Sequence, residues 1–222
     1  MAQRCLLYYI TDRTQFRGDV DTRRRALLDK IAEAASAGVD YIQLREKDLS
    51  ARELETLARE VVRVARQASV STSIATKVLI NSRTDIALAV GAAGVHLPSD
   101  DVAPHHAREA VEASTGRILA ATPFLVAASC HSNHEVVRAE SDGADFAVFA
   151  PVFGKAGASG TQPVGLAALH EACSARIPLL ALGGVNLENA RACLDAGAAG
   201  VAGIRLFQKN RIEDVVRALR AA

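Results

Sequence analysis

The sequence has almost no net charge. Its 26 lysines and arginines are nearly balanced by 25 aspartates and glutamates. The whole molecule therefore lacks the positive field that attracts nucleic acid or an anionic membrane. We expect neither nucleic acid nor a membrane as a partner, and a small molecule as the ligand.

Long hydrophobic runs are also absent. The first apolar stretch, at residues 6–10, is followed closely by Asp12 and Arg13, and no later run approaches the length needed to cross a bilayer. No segment is rich in proline, in glycine and serine, or in charges of one sign, as a linker or tail would be. A chain of 222 residues, half of them hydrophobic, can build one large core but is short for two. We predict one domain spanning residues 1–222.

Cysteine is scarce and its spacing is irregular. The four cysteines form no Cys-x-x-Cys pair, which argues against a zinc site and against a disulfide scaffold. Reduced thiols are typical of cytosolic proteins, so the expected location is cytoplasmic.

A glycine motif recurs at a nearly constant interval. Four times a helix-like segment ends in a glycine that precedes a small residue and an apolar run, at positions 38, 91, 143 and 197. Glycine is typical of helix C-termini, where the backbone often becomes left-handed. The four positions are separated by 53, 52 and 54 residues, which is too long for one strand and one helix. Each interval is therefore predicted to hold two units, each made of one strand and one helix.

Eight strands follow from this period. We place them at residues 6–11, 41–45, 77–81, 94–97, 124–129, 145–150, 178–182 and 200–204, with 118–121 as an alternative for the fifth. Helical patterns alternate with them; Ser50 and Glu53, for example, form a capping-box signal before an apolar stripe. The predicted fold is of the α/β class, a single (β/α)8 TIM barrel. A doubly wound open sheet is the rival, but no Gly-x-Gly-x-x-Gly follows the first strand.

Polar residues follow nearly every predicted strand, where a barrel of this kind carries its chemistry. Gln43 and Arg45 share one face of the second strand, and Lys47 lies just beyond it. Two cations and an amide suit a phosphate or pyrophosphate. The alternative is a structural ion pair of Arg45 with Glu46 or Asp48. At this place in the barrel we favour the binding site.

The loops after the seventh and eighth strands form a second candidate site. Gly183 and Gly184 offer bare backbone N–H groups at the predicted start of a helix, and Ile204 and Arg205 follow the eighth strand. These two loops commonly hold phosphate in TIM barrels. Because glycines also occur in tight turns, the prediction of a phosphate site rests on both loops together.

Further side chains are candidates for metal ligands and for a proton carrier. Asp100 and Asp101 can supply oxygen to Mg²⁺, which commonly bridges carboxylates and substrate phosphates; the alternative role of such a pair is a helix N-cap or a solvated turn. His131, at the end of the fifth strand, can act as a general acid or base. Its alternative role is to cap the following helix, and the adjacent Cys130 can be a small core residue.

In these features the sequence resembles the thiamine phosphate synthase and thiazole tautomerase (TenI) superfamily over residues 8–207. The motifs that carry the resemblance are Tyr9-Ile10-Thr11-Asp12-Arg13, Gln43-Leu44-Arg45-Glu46-Lys47, Asn81, Gly94-Val95-His96-Leu97, Ser129-Cys130-His131-Ser132, Pro151-Val152-Phe153 and Gly183-Gly184. Their order and spacing match the superfamily, whose fold is also a TIM barrel.

The resemblance implies two activities. A synthase joins hydroxymethylpyrimidine pyrophosphate to a thiazole phosphate and releases pyrophosphate with the help of Mg²⁺. By that pattern the pyrophosphate is held by Gln43, Arg45, Lys47 and Asn81, the Mg²⁺ by Asp101, the reacting centre by Ser129, and the thiazole phosphate by the backbone of Gly184, Ile204 and Arg205. A tautomerase instead moves a proton on a thiazole carboxylate phosphate without a metal, and His131 carries that proton.

Two positions depart from the synthase pattern. Ser82 stands where synthases typically have a metal-binding aspartate, and the loop after residue 153 lacks the usual Thr-x-Thr-Lys clamp, for which Lys155 and Ser159 are the available substitutes. Both departures favour the tautomerase, whereas Asp101 and Lys47 favour the synthase. A non-catalytic binder of a thiamine-pathway ligand is the third interpretation, because fold and family do not fix chemistry. Small phosphorylated substrates are the expected partners, and self-association into a homo-oligomer is left open.

Overall fold

The computed structural model of the chain describes residues 4–115, 123–154 and 162–220. Within them, eight parallel strands close into a barrel in chain order, and the last strand pairs with the first. The strands are β1 (Leu6–Ile10), β2 (Tyr41–Leu44), β3 (Lys77–Asn81), β4 (Gly94–Leu97), β5 (Leu125–Cys130), β6 (Phe146–Phe149), β7 (Leu179–Ala181) and β8 (Gly200–Gly203).

The predicted (β/α)8 TIM barrel is confirmed. Each strand begins and ends within one residue of its predicted bounds. The fifth strand lies at the favoured place, and its alternative at 118–121 falls outside the described residues. Lys155 and Ser159 also fall outside them.

Helices follow the strands and surround the barrel. In the described residues they are α1 (Val20–Ser36), α2 (Ala51–Ala68), α3 (Thr84–Ala89), α4 (Pro104–Thr115), α5 (Asn133–Ser141), α6 (Gly165–Ala172), α7 (Ala190–Asp195), α8 (Arg205–Gln208) and α9 (Ile212–Arg220). The capping box of α2 forms as predicted: Ser50 accepts from the Glu53 N–H, and the Glu53 carboxylate accepts from the Ser50 N–H. No helix in the part of the chain that the structure describes is both long and apolar enough to cross a membrane.

The four periodic glycines end helices as predicted. Gly38, Gly91, Gly143 and Gly197 have φ angles of +77°, +63°, +83° and +103°. A side chain at these angles would be strained, so glycine allows each helix to stop and the chain to turn into the next strand.

The core has two layers because side chains alternate across each strand. Tyr8, Leu79, Phe146 and Leu180 lie inside the barrel. Their neighbours along the strands, such as Leu7 and Tyr9, pack outward against the helices. Any polar side chain at one of these inward positions therefore points into the barrel. The inward positions near the ends of the strands determine which residues form the site.

Candidate active site

The inward positions of four strands carry polar groups that contact one another. Tyr8 on β1 is fully buried, and its hydroxyl lies 3.2 Å from Nδ1 of His96 on β4. Nε2 of His96 lies 2.8 Å from the hydroxyl of Ser129 on β5. The side chain of Gln43 on β2, only 1% exposed, lies near the Tyr8 hydroxyl and opposes the rise in its pKa that burial causes. Ser129 is half-buried at the end of its strand, so the chain of contacts runs from the barrel interior to its mouth.

Electrostatics keep His96 neutral. Burial, together with the positive charge of nearby Arg45, lowers the pKa of His96 to about 3. Burial also raises the pKa of Tyr8 well above its ordinary value. Both groups are therefore uncharged at neutral pH, and they act as hydrogen-bonding groups rather than as charges.

Arg45 makes no ion pair with Glu46 or Asp48, so the structural alternative for this residue is wrong. Arg13 forms ion pairs with both carboxylates instead: its guanidinium lies 3.1 Å from the Glu46 carboxylate and 2.6 Å from the Asp48 carboxylate. Among the described residues no acidic side chain pairs with Arg45. The positive charge of Arg45 lies close enough to His96 to contribute to the lowering of its pKa. The side chain is half-buried, which leaves a cation at the barrel mouth that can meet an anion.

Glu46 holds the loop that carries Arg45. Its buried carboxylate accepts from the Thr11 hydroxyl at 2.6 Å and from the Arg13 backbone N–H at 3.0 Å. The same Thr11 oxygen accepts from the backbone N–H of Arg45 at 3.0 Å. Burial raises the pKa of Glu46, and the hydrogen bonds from Thr11 and Arg13 oppose that rise. We call Thr11, Arg13 and Glu46 the rim clamp.

Asn81 and Ser82 lie at the end of β3, beside His96 in the register of β3 and β4. Ser82 has a φ of +61°, which is unusual for a residue other than glycine. Its N–H donates to the His96 carbonyl at 2.9 Å, and its hydroxyl accepts from the Asn81 amide at 3.0 Å. The turn therefore fixes the half-buried Asn81 side chain next to the contacts described above.

The prediction that a helix begins at Gly183 and Gly184 is wrong. The next helix, α7, starts only at Ala190, because the Asn186 side chain accepts from the Glu188 and Asn189 N–H groups and forms a turn first. By contrast, α8 begins directly at Arg205, after Ile204. The Gly184 N–H has no acceptor among the described residues, so it remains available to a ligand.

Both glycines are required by close packing. Gly183 and Gly184 have φ angles of +93° and +66°. A Cβ at Gly183 would lie 2.6 Å from Pro151, and one at Gly184 would lie 2.8 Å from the Gly154 carbonyl oxygen. The absence of side chains at these two positions allows the loop after β7 to pack against the loop after β6.

Gly184→Ala is expected to destabilise the protein by about 1–3 kcal/mol, since alanine must adopt a strained φ and displace the neighbouring backbone. Urea unfolding measures the effect. Gly154→Ala is the matched control, because no described atom lies within 4 Å of its added Cβ. Equal stability of the two variants would contradict the close approach.

His131 is exposed and does not cap α5. The helix is capped by Ser132, which accepts from the Glu135 N–H. His131 Nδ1 lies 2.6 Å from the Ala150 carbonyl oxygen. A carbonyl only accepts, so Nδ1 carries the hydrogen and Nε2 keeps a free lone pair. The neighbouring Cys130 is buried, and burial raises the pKa of its thiol to about 12, which leaves it unreactive.

Sequence reasoning placed the cations, Asn81 and Ser129 at the mouth but did not identify Tyr8 or the rim clamp. Tyr8 stands in an apolar strand and looks like a core residue. The available signal was the alternation of β1, which points Tyr8 to the same side as Ile10 and into the barrel.

Comparisons with known proteins identify the family of the chain. The sequence model of the TMP-TENI family, described as thiamine monophosphate synthase, matches residues 7–207. A putative thiamine-phosphate synthase 2 of Aquifex aeolicus is 37% identical over 90% of this chain and 96% of its own length. A thiamine-phosphate synthase of Chlorobium luteolum is 39% identical over 87% of this chain and 86% of its own.

Solved structures give the same result. A thiamine phosphate pyrophosphorylase from Pyrococcus furiosus superposes with a TM-score of 0.77 at 28% identity, covering 99% of this chain and 95% of that one. A 3-hexulose-6-phosphate synthase superposes with a TM-score of 0.66 at 19% identity, covering 98% of both chains, and shows a likeness of fold alone. With a family model covering nine-tenths of its length and relatives this similar, the chain belongs to the thiamine monophosphate synthase (TMP-TENI) family.

Proposed function

We propose that this protein joins hydroxymethylpyrimidine pyrophosphate to thiazole phosphate, forming thiamine phosphate and releasing pyrophosphate. The observation that carries the proposal is Arg45, a half-buried cation that forms no ion pair with a described acidic side chain, beside the polar contacts of His96 and Ser129. A site of this kind can bind an anionic ligand. The thiamine-phosphate synthases at 34–40% identity support the assignment to this reaction.

The reaction needs fixed positive charge where negative charge develops. The bond between the pyrimidine methylene carbon and the pyrophosphate oxygen breaks, pyrophosphate keeps the electron pair, and the thiazole nitrogen attacks the resulting carbon cation. Arg45 and Lys47 would stabilise the departing pyrophosphate, with Asn81 and Gln43 hydrogen-bonding to it. Ser129 would position the reacting centre, and the backbone of Gly184 and Arg205 would hold the thiazole phosphate. Ile204 would bind substrate by the family pattern and Gly183 through its backbone N–H, whereas Lys155 would substitute for the missing Thr-x-Thr-Lys clamp.

The described residues fit a Mg²⁺ ion that arrives with its substrate. They include no group of three histidine, cysteine, aspartate or glutamate side chains that could hold a metal. Such a cage is not required, because Mg²⁺ bound to phosphates uses one or two carboxylates and completes its shell with phosphate oxygens and water. One Asp101 oxygen accepts from the Val102 N–H, and its other oxygen remains available. Asp101 would hold the ion, which when bound would neutralise charge on the pyrophosphate.

Ser82→Asp tests this weak metal site. Aspartate tolerates a positive φ and would add a carboxylate beside Asn81. The Mg²⁺ concentration for half-maximal coupling is expected to fall by roughly tenfold, which corresponds to about 1.4 kcal/mol for the added ligand. Ser82→Asn is the matched control, since it suits the same backbone but adds no charge. An unchanged or higher Mg²⁺ requirement would mean that the ion is held elsewhere.

The direct test of the proposed function is product formation. Purified protein is incubated with both substrates, with Mg²⁺ or with EDTA, and thiamine phosphate is separated by chromatography. The proposal predicts product that depends on Mg²⁺. Saturable substrate binding without product would identify a non-catalytic binder instead.

The second candidate is the thiazole tautomerase. The specific observation in its favour is His131, whose hydrogen bond to Ala150 leaves Nε2 free to accept a proton. The exposed ring can therefore work as a general base at the barrel mouth.

His131→Gln separates the two activities, because glutamine forms hydrogen bonds but carries no proton between atoms. A tautomerase is expected to slow by roughly a hundredfold, since proton transfer is its reaction. The coupling reaction is expected to change by only about threefold, because cations drive pyrophosphate departure. Both reactions are measured for wild-type and variant proteins, with thermal melting as the folding control. A full tautomerase rate in the folded variant would remove His131 from that role.

Cytoplasmic location and small phosphorylated substrates complete the proposal. The irregular spacing of the four cysteines, which offers no disulfide framework, supports the location.

A further inference from the structure

A chain of hydrogen bonds crosses the interior of the barrel below its mouth. It links three side chains on three strands: Tyr8 on β1, His96 on β4 and Ser129 on β5. Its first two members are almost completely buried, at 0% and 2% exposure. Only Ser129 reaches the mouth.

The surroundings hold this chain in one geometry. The Tyr8 ring packs edge-on against Phe146 and Tyr41, with ring centres 5.6 and 5.8 Å apart. The Gln43 side chain also lies near the Tyr8 hydroxyl, where it opposes the rise in the Tyr8 pKa that burial causes. Tyr9, the next residue, provides a contrast: its hydroxyl is equally buried but has no partner among the described residues. Of these two neighbouring tyrosines, Tyr8 alone has a hydroxyl with a hydrogen-bond partner among the described residues.

The direction of the hydrogen bonds follows from counting donors. A neutral imidazole has one N–H, so one ring nitrogen of His96 donates and the other accepts. A phenol is far more acidic than an alcohol, and is therefore the stronger donor. We therefore expect Tyr8 to donate to Nδ1, the hydrogen of His96 to lie on Nε2, and Nε2–H to donate to the Ser129 oxygen. The hydrogen of the Ser129 hydroxyl is then directed away from His96 and towards the mouth.

We propose that Tyr8 and His96 are positioning residues that fix the Ser129 hydroxyl as a hydrogen-bond donor to the substrate. The hydrogen-bond chain sets the direction in which the Ser129 hydroxyl donates. Because the imidazole donates to Ser129, the Ser129 hydroxyl does not donate to the imidazole and can donate to the ligand. The identity of that substrate rests on the proposed function; the direction of the chain does not.

The first test is the tautomer of His96, read by NMR on protein with ¹⁵N-labelled histidine. The His96 signals are assigned by their loss in His96→Gln. Nε2 is expected at the shift of a protonated ring nitrogen and Nδ1 at that of an unprotonated one. Tyr8→Phe is expected to move the Nδ1 signal, and Tyr9→Phe to leave it in place. A hydrogen on Nδ1, or a mixture of tautomers, would overturn the proposal.

The second test separates positioning from packing by the kinetics of the coupling reaction. Tyr8→Phe is expected to lower kcat about tenfold with KM unchanged within twofold, because the substrate still binds but Ser129 is no longer oriented. Tyr9→Phe removes an equally buried hydroxyl from the same strand and is expected to keep both constants. Loss of thermal stability in Tyr8→Phe with unchanged kcat would reduce Tyr8 to a structural role. If the wild-type protein makes no product, the proposed function fails. The tautomer measurement still decides the direction of the hydrogen bonds among Tyr8, His96 and Ser129.

Discussion

Arg45→Ala is expected to lower kcat/KM for the pyrophosphate substrate at least tenfold while the protein stays folded. A hydrogen bond to a charged group is worth about 1.5–3 kcal/mol, and about 1.4 kcal/mol corresponds to a factor of ten. The side chain makes no ion pair with the described residues, so its removal breaks no structural contact of that kind.

The control for Arg45→Ala is Arg25→Ala. Arg25 is an exposed arginine on the outer helix α1, so its loss changes the net charge equally but leaves the mouth intact. Steady-state kinetics measure activity, and thermal melting measures folding. If folded Arg45→Ala retained wild-type kinetics, the residue would have no part in substrate binding, and the pyrophosphate would have to be held by other groups.

Glu46→Ala is expected to destabilise the protein by about 3 kcal/mol or more, because removing one partner of a buried ion pair leaves the other uncompensated. The change also removes the acceptor for Thr11 and for the Arg13 N–H. Since Thr11 in turn binds the backbone of Arg45, kcat/KM is expected to fall as well.

Asp48→Ala is the matched control for Glu46→Ala. Both carboxylates pair with Arg13, but the Asp48 side chain is 56% exposed and that of Glu46 is 1% exposed. Exposed ion pairs contribute about 0–1 kcal/mol, so Asp48→Ala is expected to have little effect on urea unfolding. Similar losses in the two variants would show that the rim clamp does not depend on burial of Glu46.

The fold was predictable because local backbone requirements repeat along the chain. Glycine at positions 38, 91, 143 and 197 is demanded by a left-handed turn at the end of each helix, and such a demand is visible in sequence. The capping box at Ser50 is equally local. These signals establish the number of strands and their order in a closed barrel.

The site was only partly predictable, because its contacts join residues far apart in the chain. Proximity in sequence offered Glu46 as an alternative partner for Arg45, whereas the pairing of β1 with β2 brings Arg13, which follows β1, to that carboxylate. The partnership of Tyr8 with His96 likewise spans 88 positions. The helix expected at Gly183 was delayed by a side-chain turn at Asn186, a competition that local propensity does not resolve.

The most direct measurement for the central claim is ³¹P NMR of one reaction containing the purified protein, both substrates and Mg²⁺. The two phosphorylated substrates, pyrophosphate and thiamine phosphate are followed together. The account predicts equal amounts of pyrophosphate and thiamine phosphate, both suppressed in Arg45→Ala. Pyrophosphate release without thiamine phosphate, or no change in either substrate at any Mg²⁺ concentration with folded protein, would contradict it.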